Sequence, residues 1–349
     1  MDIWDEGYTI HWRFMKVNPD TWEDETRLDG VRSISIERDA TDDVPLLESS
    51  SLSIVVDAGS EFEDGWYRTE ALVIDSTGGF SRWPIATMLY EAGEIETDKG
   101  YDEISISGFS SLQTASDKKM VAGRWVPKGA DGGRYVKELL EENFPGPVYV
   151  SGSFTVNDYF VFQSGTTYLQ AAWYLLKAAG WCMQINGRGE ITILKKPSVP
   201  KFQLDFANAR LLEPGSKRLF DLSGVPNRYY AVSANEEAVA ENRVVGSRVS
   251  YQKRGRWIEI VDTSPAPVNG ENLQAYANRR LAEESTVVKS YSYTRRFVPD
   301  IYPFDMVTGS LNSLGLEGDL RILSQSIKCG NNISVVEKSG LEIPLWQAT

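Results

Sequence analysis

A single histidine and two cysteines in 349 residues remove most of the common ways to build a reactive site. His11 lies between Ile10 and Trp12 in YTIHWRF, where strand alternation points to a half-buried structural imidazole. Zinc sites of the usual kinds need several His or Cys ligands at fixed spacings, and a Ser-His-Asp triad would have to rest on His11 without a GxSxG elbow. Cys182 and Cys329 are far apart, each in an apolar strand-like run, and read as buried thiols rather than as a disulfide or a metal site. The segment GADGGRY lacks the GK[ST] ending of a phosphate loop, so its glycines read as a turn into a helix. No apolar run approaches the roughly 20 residues of a membrane span. The N-terminal MDIWDEGYTIHWRF has acids where a signal peptide needs cations, so the chain is expected to be made and kept in an aqueous compartment.

Cations are also in deficit. The formal charge of −13 and pI near 4.8 argue against a chain that grips nucleic acid by its phosphates. Many of the acids lie in turn-rich connections, NPDTWEDET, DATDDVP and DAGSEFEDG. Asp39, Asp42 and Asp43 have the charge of a calcium loop but neither the glycine nor the spaced glutamate one requires, and read as a solvated turn.

What is present is β pattern. Ordinary domains run roughly 100 to 200 residues, so a chain of this length should hold two or three. Residues 8 to 116 alternate almost throughout: VRSISIER sets Val31, Ser33, Ser35 and Glu37 opposite Arg32, Ile34, Ile36 and Arg38, and SLSIVVD and YDEISISGFSS repeat the device. From about residue 118 two helices are expected. One starts near Asp131 with Val136, Leu139 and Leu140 apolar and stops at Pro145; the other starts near Thr166, with Leu169, Ala172, Trp173 and Leu176 on one stripe and Gly180 as its stop. WCMQINGRGEITILKK then reads as a hairpin about Asn186, Gly187, Arg188 and Gly189, and SVPKF, with Pro197 and Pro200, as a stiff exit link.

The β pattern returns, organised on Leu273 to Val307. Leu273, Tyr276, Ala277 and Leu281 give a helix one apolar face. In the strand that follows, Tyr291, Tyr293, Arg295 and Phe297 oppose Ser290, Ser292, Thr294 and Arg296, a pattern that suits a sheet with one face toward solvent, a lumen or another subunit. LRILSQSIKCG and ISVVEKS pair as a hairpin across Gly330, Asn331 and Asn332. The fold class is therefore mainly β with an α+β insert. The parts are a first β domain (1–117), a small α/β insert (118–200) and a second β domain with a C-terminal segment (201–349).

This arrangement resembles the baseplate hub proteins of phage tails and related contractile injection machines. The resemblance is carried by VRSISIER with LLESSSLSIVVD, by TTYLQAAWYLLKAAGWCMQINGRGEITILKKP, by VPNRYYAV, and by LQAYANRRLAEESTVVKSYSYTRRFVPDIYPFDMV with LRILSQSIKCG. It covers almost the whole chain and rests on the order of elements rather than on catalytic signatures. It implies two tail-tube-like β-barrel or sandwich domains and a homotrimer whose six such domains form a ring beneath the tail tube. The implied partners are tail-tube or distal-tail ring proteins, a spike or tip protein and a tape-measure protein, with DNA passing through unbound. The implied place is the virion tail, after synthesis in the host cytoplasm. Carboxylates facing the lumen would keep that path slippery. The end at Thr349 leads us to expect that lysin and spike are separate chains, as in a contractile tail or tailocin. GLEIPLWQAT is either an anchor on a neighbour, through Trp346, or an exposed fray.

On this reading the chain is structural and not an enzyme, with no catalytic, cofactor-binding or metal-binding residue and no cofactor. Two alternatives stand beside it. One is a glycan-binding module or carboxylate-pair glycosidase using Trp4, Trp12, Trp22, Trp66, Trp83 and Trp125 as stacking surfaces, although large aromatics more often fill β cores. The other is a distal-tail or tail-tube ring protein.

Overall fold

The computed structural model describes residues 9–40, 47–57, 62–98, 101–205, 217–219, 221–233, 236–263, 265, 271–311 and 316–346. The early strands are β1 (Thr9–Val17), β2 (Asp24–Arg27), β3 (Val31–Asp39), β4 (Leu47–Asp57), β5 (Gly65–Ile74), β6 (Phe80–Asp98) and β7 (Tyr101–Phe109). There follow α1 (Gln113–Asp117), β8 (Arg124–Val126), α2 (Gly132–Glu141), β9 (Val148–Ser151), β10 (Phe160–Phe162), α3 (Tyr168–Ala179), β11 (Trp181–Ile185) and β12 (Ile191–Lys195). The chain continues through β13 (Pro200–Asp205), β14 (Lys217–Leu219), β15 (Arg228–Val232), β16 (Glu237–Glu241), α4 (Tyr251–Arg254) and β17 (Glu259–Asp262). It closes with α5 (Leu273–Glu284), β18 (Thr286–Arg296), β19 (Met306–Leu311), β20 (Leu316–Cys329) and β21 (Ile333–Pro344). The protein is mainly β with few helices, as its alternation requires.

Two compact units are formed, Met1–Ser216 with Ser292–Ser339, and Lys217–Tyr291 with Gly340–Thr349. In the larger, one sheet runs β21-β20-β3-β4-β7-β6-β5-β1-β2. Its early and late strands meet where β20 lies antiparallel to β3, from Ser324 opposite Asp39 to Cys329 opposite Ile34. They share one core, in which Ile34, Ile36, Leu52, Ile54, Ile104 and Ile106 pack with Phe297, Ile327, Cys329 and Val335. Cys182 and Cys329 are both free and buried.

The insert belongs to the same unit. Helix α2 starts at an Asp131 cap and α3 at a Thr167 capping box, ending at Gly180 in the left-handed conformation (φ 69°). Leu139, Leu140, Leu169, Ala172 and Leu176 pack with Met183, Ile191 and Ile193 of the sheet β11-β12-β9. The hairpin turn between β11 and β12 seats in the early β strands. Trp22 Nε1 donates to Arg188 O (2.7 Å), Thr87 Oγ1 to Gly187 O (3.1 Å) and Ser111 Oγ to Gly189 O (2.8 Å), while Gly187 N donates to the Tyr302 hydroxyl (3.1 Å). A Cβ on Gly187 would come within 2.0 Å of Pro84 O, so only glycine fits. Pro200 does not continue a link. It opens β13, which pairs in parallel with β19.

In the smaller unit α5 covers the sheet β16-β15-β17, with Tyr276, Ala277 and Leu281 on Tyr229, Ala231 and Ala240. Trp346 completes this core at 9% exposure, so it neither frays nor waits for a neighbour. The last residues, 347–349, lie outside the described residues.

Candidate functional surface

The alternation of β3, β4 and β7 sends isoleucine and leucine into the core and leaves serine on the other face. Antiparallel register then aligns the serines across strands. Ser33 faces Ser53, which faces Ser105; Ser35 faces Ser51, which faces Ser107. On β20, Lys328 continues the second row beside Ser35, and Ser326 meets Glu37, whose other neighbour is Ser49. The result is an open depression of about 620 Å³ floored by small hydroxyls.

Charges on this face are mainly acidic: Glu37 and Asp39 of β3, Glu103 of β7 and Glu91 of β6, which pairs with Ser107, stand against Arg32 and Lys328. Ser53 Oγ donates to Glu103 Oε1 (2.7 Å), Ser326 Oγ to Glu37 Oε1 (2.6 Å), and Arg32 lies 3.5 Å from Glu103. None of these serines has an imidazole beside it. His11 is not half-buried as expected; it is exposed on β1, opposite Leu72 of β5. The edge position explains this, because β2 covers only Met15 to Val17 of that strand. Among the described residues no group of three or more His, Cys, Asp or Glu side chains is placed to hold a metal ion. Of the aspartates weighed as a calcium loop, Asp42 and Asp43 lie outside the described residues. Such a face can exchange hydrogen bonds with water or a passing surface, and it lacks the clustered cations that hold phosphates.

Beneath the sheet lie two buried ionic groups. In β18 the face bearing Tyr291, Tyr293 and Arg295 is buried, Arg295 at 1% exposure, while Ser292, Thr294 and Arg296 lie on the more open face, as a strand with one face open requires. The long polar side chains are tolerated there because Glu337 is buried opposite them. Its carboxylate accepts from Arg295 Nη2 (2.6 Å) and Nε (3.0 Å), from Gln325 Nε2 (2.9 Å) and from the Tyr293 hydroxyl. Burial first, and then the Glu337 charge, push Tyr293 well above the usual tyrosine range. The second group pairs Arg38 Nε with Glu48 Oε1 at 3.1 Å, an ion pair whose hydrogen points off the line between the two atoms. Arg38 spends another donor on Ile85 O, and its guanidinium lies 5.4 Å from the Tyr302 ring. Desolvation pushes Glu48 up to about 7, against the pull of Arg38.

The tryptophans weighed as sugar platforms mostly pack inward. Trp22 and Trp66 are each 7% exposed and meet edge to face at 5.1 Å, with Phe144 completing the cluster. Trp12 donates its indole N–H to Gly330 O (2.7 Å) and Trp83 to Ser81 Oγ (2.9 Å), both partly buried, and Trp4 is outside the described residues. Trp125 stands apart at 59% exposure, its ring parallel to that of Tyr159 (8°, centroids 5.8 Å).

The sequence matches no family model and no curated protein. Solved structures do match over nearly the full length. A tail protein from Neisseria meningitidis MC58 superposes with a TM-score of 0.64 at 14% identity, covering 96% of this chain and 97% of that one. The 43 kDa tail protein of prophage MuSo2 from Shewanella oneidensis gives 0.64 at 13% identity, covering 95% and 98%. A chain of the half-lidded Francisella PdpA-VgrG complex gives 0.57 at 9% identity, covering 98% of this chain and 60% of that one. The chain therefore has the fold of phage tail proteins, shared with a VgrG-containing assembly.

Proposed function

We propose that this chain is a structural baseplate or tail-tip hub of a phage tail or related injection machine, joining the tail tube or a distal-tail ring to a spike or tip protein. One observation carries the proposal: the fold agrees with two tail proteins over nearly all of both chains. In this reading the chain is a non-enzymatic virion component, made in the host cytoplasm and assembled as a homotrimer. Its building blocks are 1–117, 118–200 and 201–349, and the first and last of these alternate around the ring.

The serine face lines the channel in this reading, because it is the exposed side of the sheet shared by the early and late strands. DNA or a tape-measure protein then slides over uncharged hydroxyls. Carboxylates accompany the serines, as the net charge suggests: among the described residues Glu37, Asp39, Glu91 and Glu103 lie on this face with Arg32 and Lys328.

Light scattering on the purified chain, followed by negative-stain imaging, tests the proposal. A trimer with a central opening is expected. A hexameric ring would move the assignment to a tail-tube or distal-tail ring. A monomer that binds sugars on a glycan array would favour the glycan-binding reading, for which Trp125 with Tyr159 offers an exposed aromatic platform.

A further inference from the structure

Between β16 and β17 the smaller unit sends out a loop, residues 242–258, whose charge opposes that of the chain. Arg243, Arg248, Lys253, Arg254 and Arg256 fall in it with no Asp or Glu, in a protein of net charge −13. Two fully buried asparagines hold the loop in shape. Asn227 Nδ2 donates to Val249 O and Arg256 O (both 3.0 Å), and its Oδ1 accepts from Ile258 N (2.7 Å). Asn242 Nδ2 donates to Ser247 Oγ (2.9 Å), and its Oδ1 accepts from Val244 N (3.2 Å). Arg254 is used in the same way, donating to Val225 O (2.6 Å) and to Leu222 O. A simple connection has no need of two buried amides and a guanidinium; a surface that must keep its shape does.

The surface so fixed has the composition of an interface centre. Tyr251 and Trp257 stack at 4.4 Å, and the guanidiniums of Arg228 and Arg243 lie 4.9 and 5.0 Å from the Trp257 ring. Val245 projects beside them at 85% exposure. Lys253 and Arg256 are exposed and form no ion pair among the described residues. Arginine, tryptophan and tyrosine together are the residues that most often carry binding energy.

We propose that this loop docks on the acidic end of a second copy of the same chain, formed by the β1–β2 turn and the start of β5. Asp20, Glu23, Glu25, Glu63 and Asp64 are exposed there, and the nearby cation Lys16 is already bound to Glu63. Charge complementarity singles out this partner: outside the loop the chain is more acidic than its net charge, and aromatic stacking on arginine has no preference for phosphate over carboxylate. A basic patch meeting an acidic patch elsewhere on the next copy is a heterologous contact, the kind that closes into rings. The inference rests on the ring reading of the previous subsection.

A charge swap on the full chain tests it. Lys253→Glu with Arg256→Glu should weaken self-association at least about tenfold, as should Glu23→Lys with Glu25→Lys. Combining all four should restore the wild-type mass in sedimentation, with circular dichroism unchanged throughout because every changed side chain is exposed. A wild-type trimer unaffected by either pair would overturn this interface and leave the ring standing. Loss of assembly at the loop with no rescue from the acidic side would also overturn it. Duplex DNA retained by the wild type and released by the loop variant, at constant mass, would reassign the loop to nucleic acid. A wild type monomeric at every concentration would overturn self-docking, and the ring reading would then be judged by adding the tube and spike partners.

Discussion

Glu48 is the side chain whose ionisation most directly opposes its surroundings. It is 6% exposed, its one cation is Arg38, and burial holds its carboxyl up to about 7. An unfolded chain would release that proton near the ordinary value of 4.5, so between those values the folded state binds more protons than the unfolded one. Stability from this group is therefore greatest below the lower value and declines as pH rises through the upper one. The loss is on the order of 3 to 4 kcal/mol at about 1.4 kcal/mol per pH unit, the pull of Arg38 already being offset by the larger effect of burial. Urea unfolding of wild type and Glu48→Gln from pH 4 to pH 8 should show near-equal stabilities at the acidic end and a widening advantage for the variant toward pH 8. A constant difference would mean that the carboxyl is ionised throughout. Glu337 differs in its surroundings, because four donors, Arg295 Nε and Nη2, Gln325 Nε2 and the Tyr293 hydroxyl, converge on its carboxyl oxygens.

Among the elements, the β11–β12 turn has a role that its length does not announce. Its carbonyls accept from Trp22, Thr87 and Ser111, all in or beside the early strands, so a four-residue turn anchors the insert on the first β block. Gly187→Ala should cost about 2 to 4 kcal/mol, since a methyl group against the Pro84 carbonyl must displace backbone on one side or the other. Gly165→Ala, at a turn with open space around its Cβ but φ +91°, should cost only about 1 kcal/mol from backbone strain. Thermal unfolding of the two variants would separate packing from strain, and equal losses would deny the turn its anchoring role.

The same turn shows what a sequence can reveal of this fold. Asn186 to Gly189 between two apolar runs marks a hairpin by local chemistry, as Asp131, Thr167 and Gly180 mark helix ends. Local rules decide such features. What the turn seats against is set by contacts far along the chain, between residues 22 and 188 for example, and no local pattern encodes them. The serine face is intermediate. The alternation in VRSISIER is plain, but alignment of three serine strands into rows depends on register. That one face of β18 is open can be read from its alternation, but which face is buried is decided by Glu337, which lies opposite Arg295 far along the chain. Trp346 likewise looks like an external anchor until α5 and β15 are seen to leave room for it.

At the scale of the whole molecule, the acidity of the chain reaches the face proposed to line a channel, where Glu37, Asp39, Glu91 and Glu103 outnumber Arg32 and Lys328 among the described residues. The sheet presents Ser33, Ser35, Ser51, Ser53, Ser105 and Ser107 at its centre and these carboxylates around them. A hydroxyl floor rimmed by carboxylates has no cation cluster to hold phosphates, which suits the passage proposed above. Placing lysine on three positions of that face, Ser51→Lys, Ser53→Lys and Ser105→Lys, should leave folding intact because the face is solvated, and, if the proposed ring forms, should make it retain DNA. Each phosphate contact adds about 0.9 to the slope of log affinity against log salt on duplex DNA, so retention should be strong near 50 mM salt and largely lost by 200 mM. Filter binding of duplex DNA to assembled wild-type and triple-lysine rings reads this directly. Weak retention by the wild type and salt-sensitive retention by the variant are expected, whereas equal, weak retention by both would place the serine face away from the DNA path.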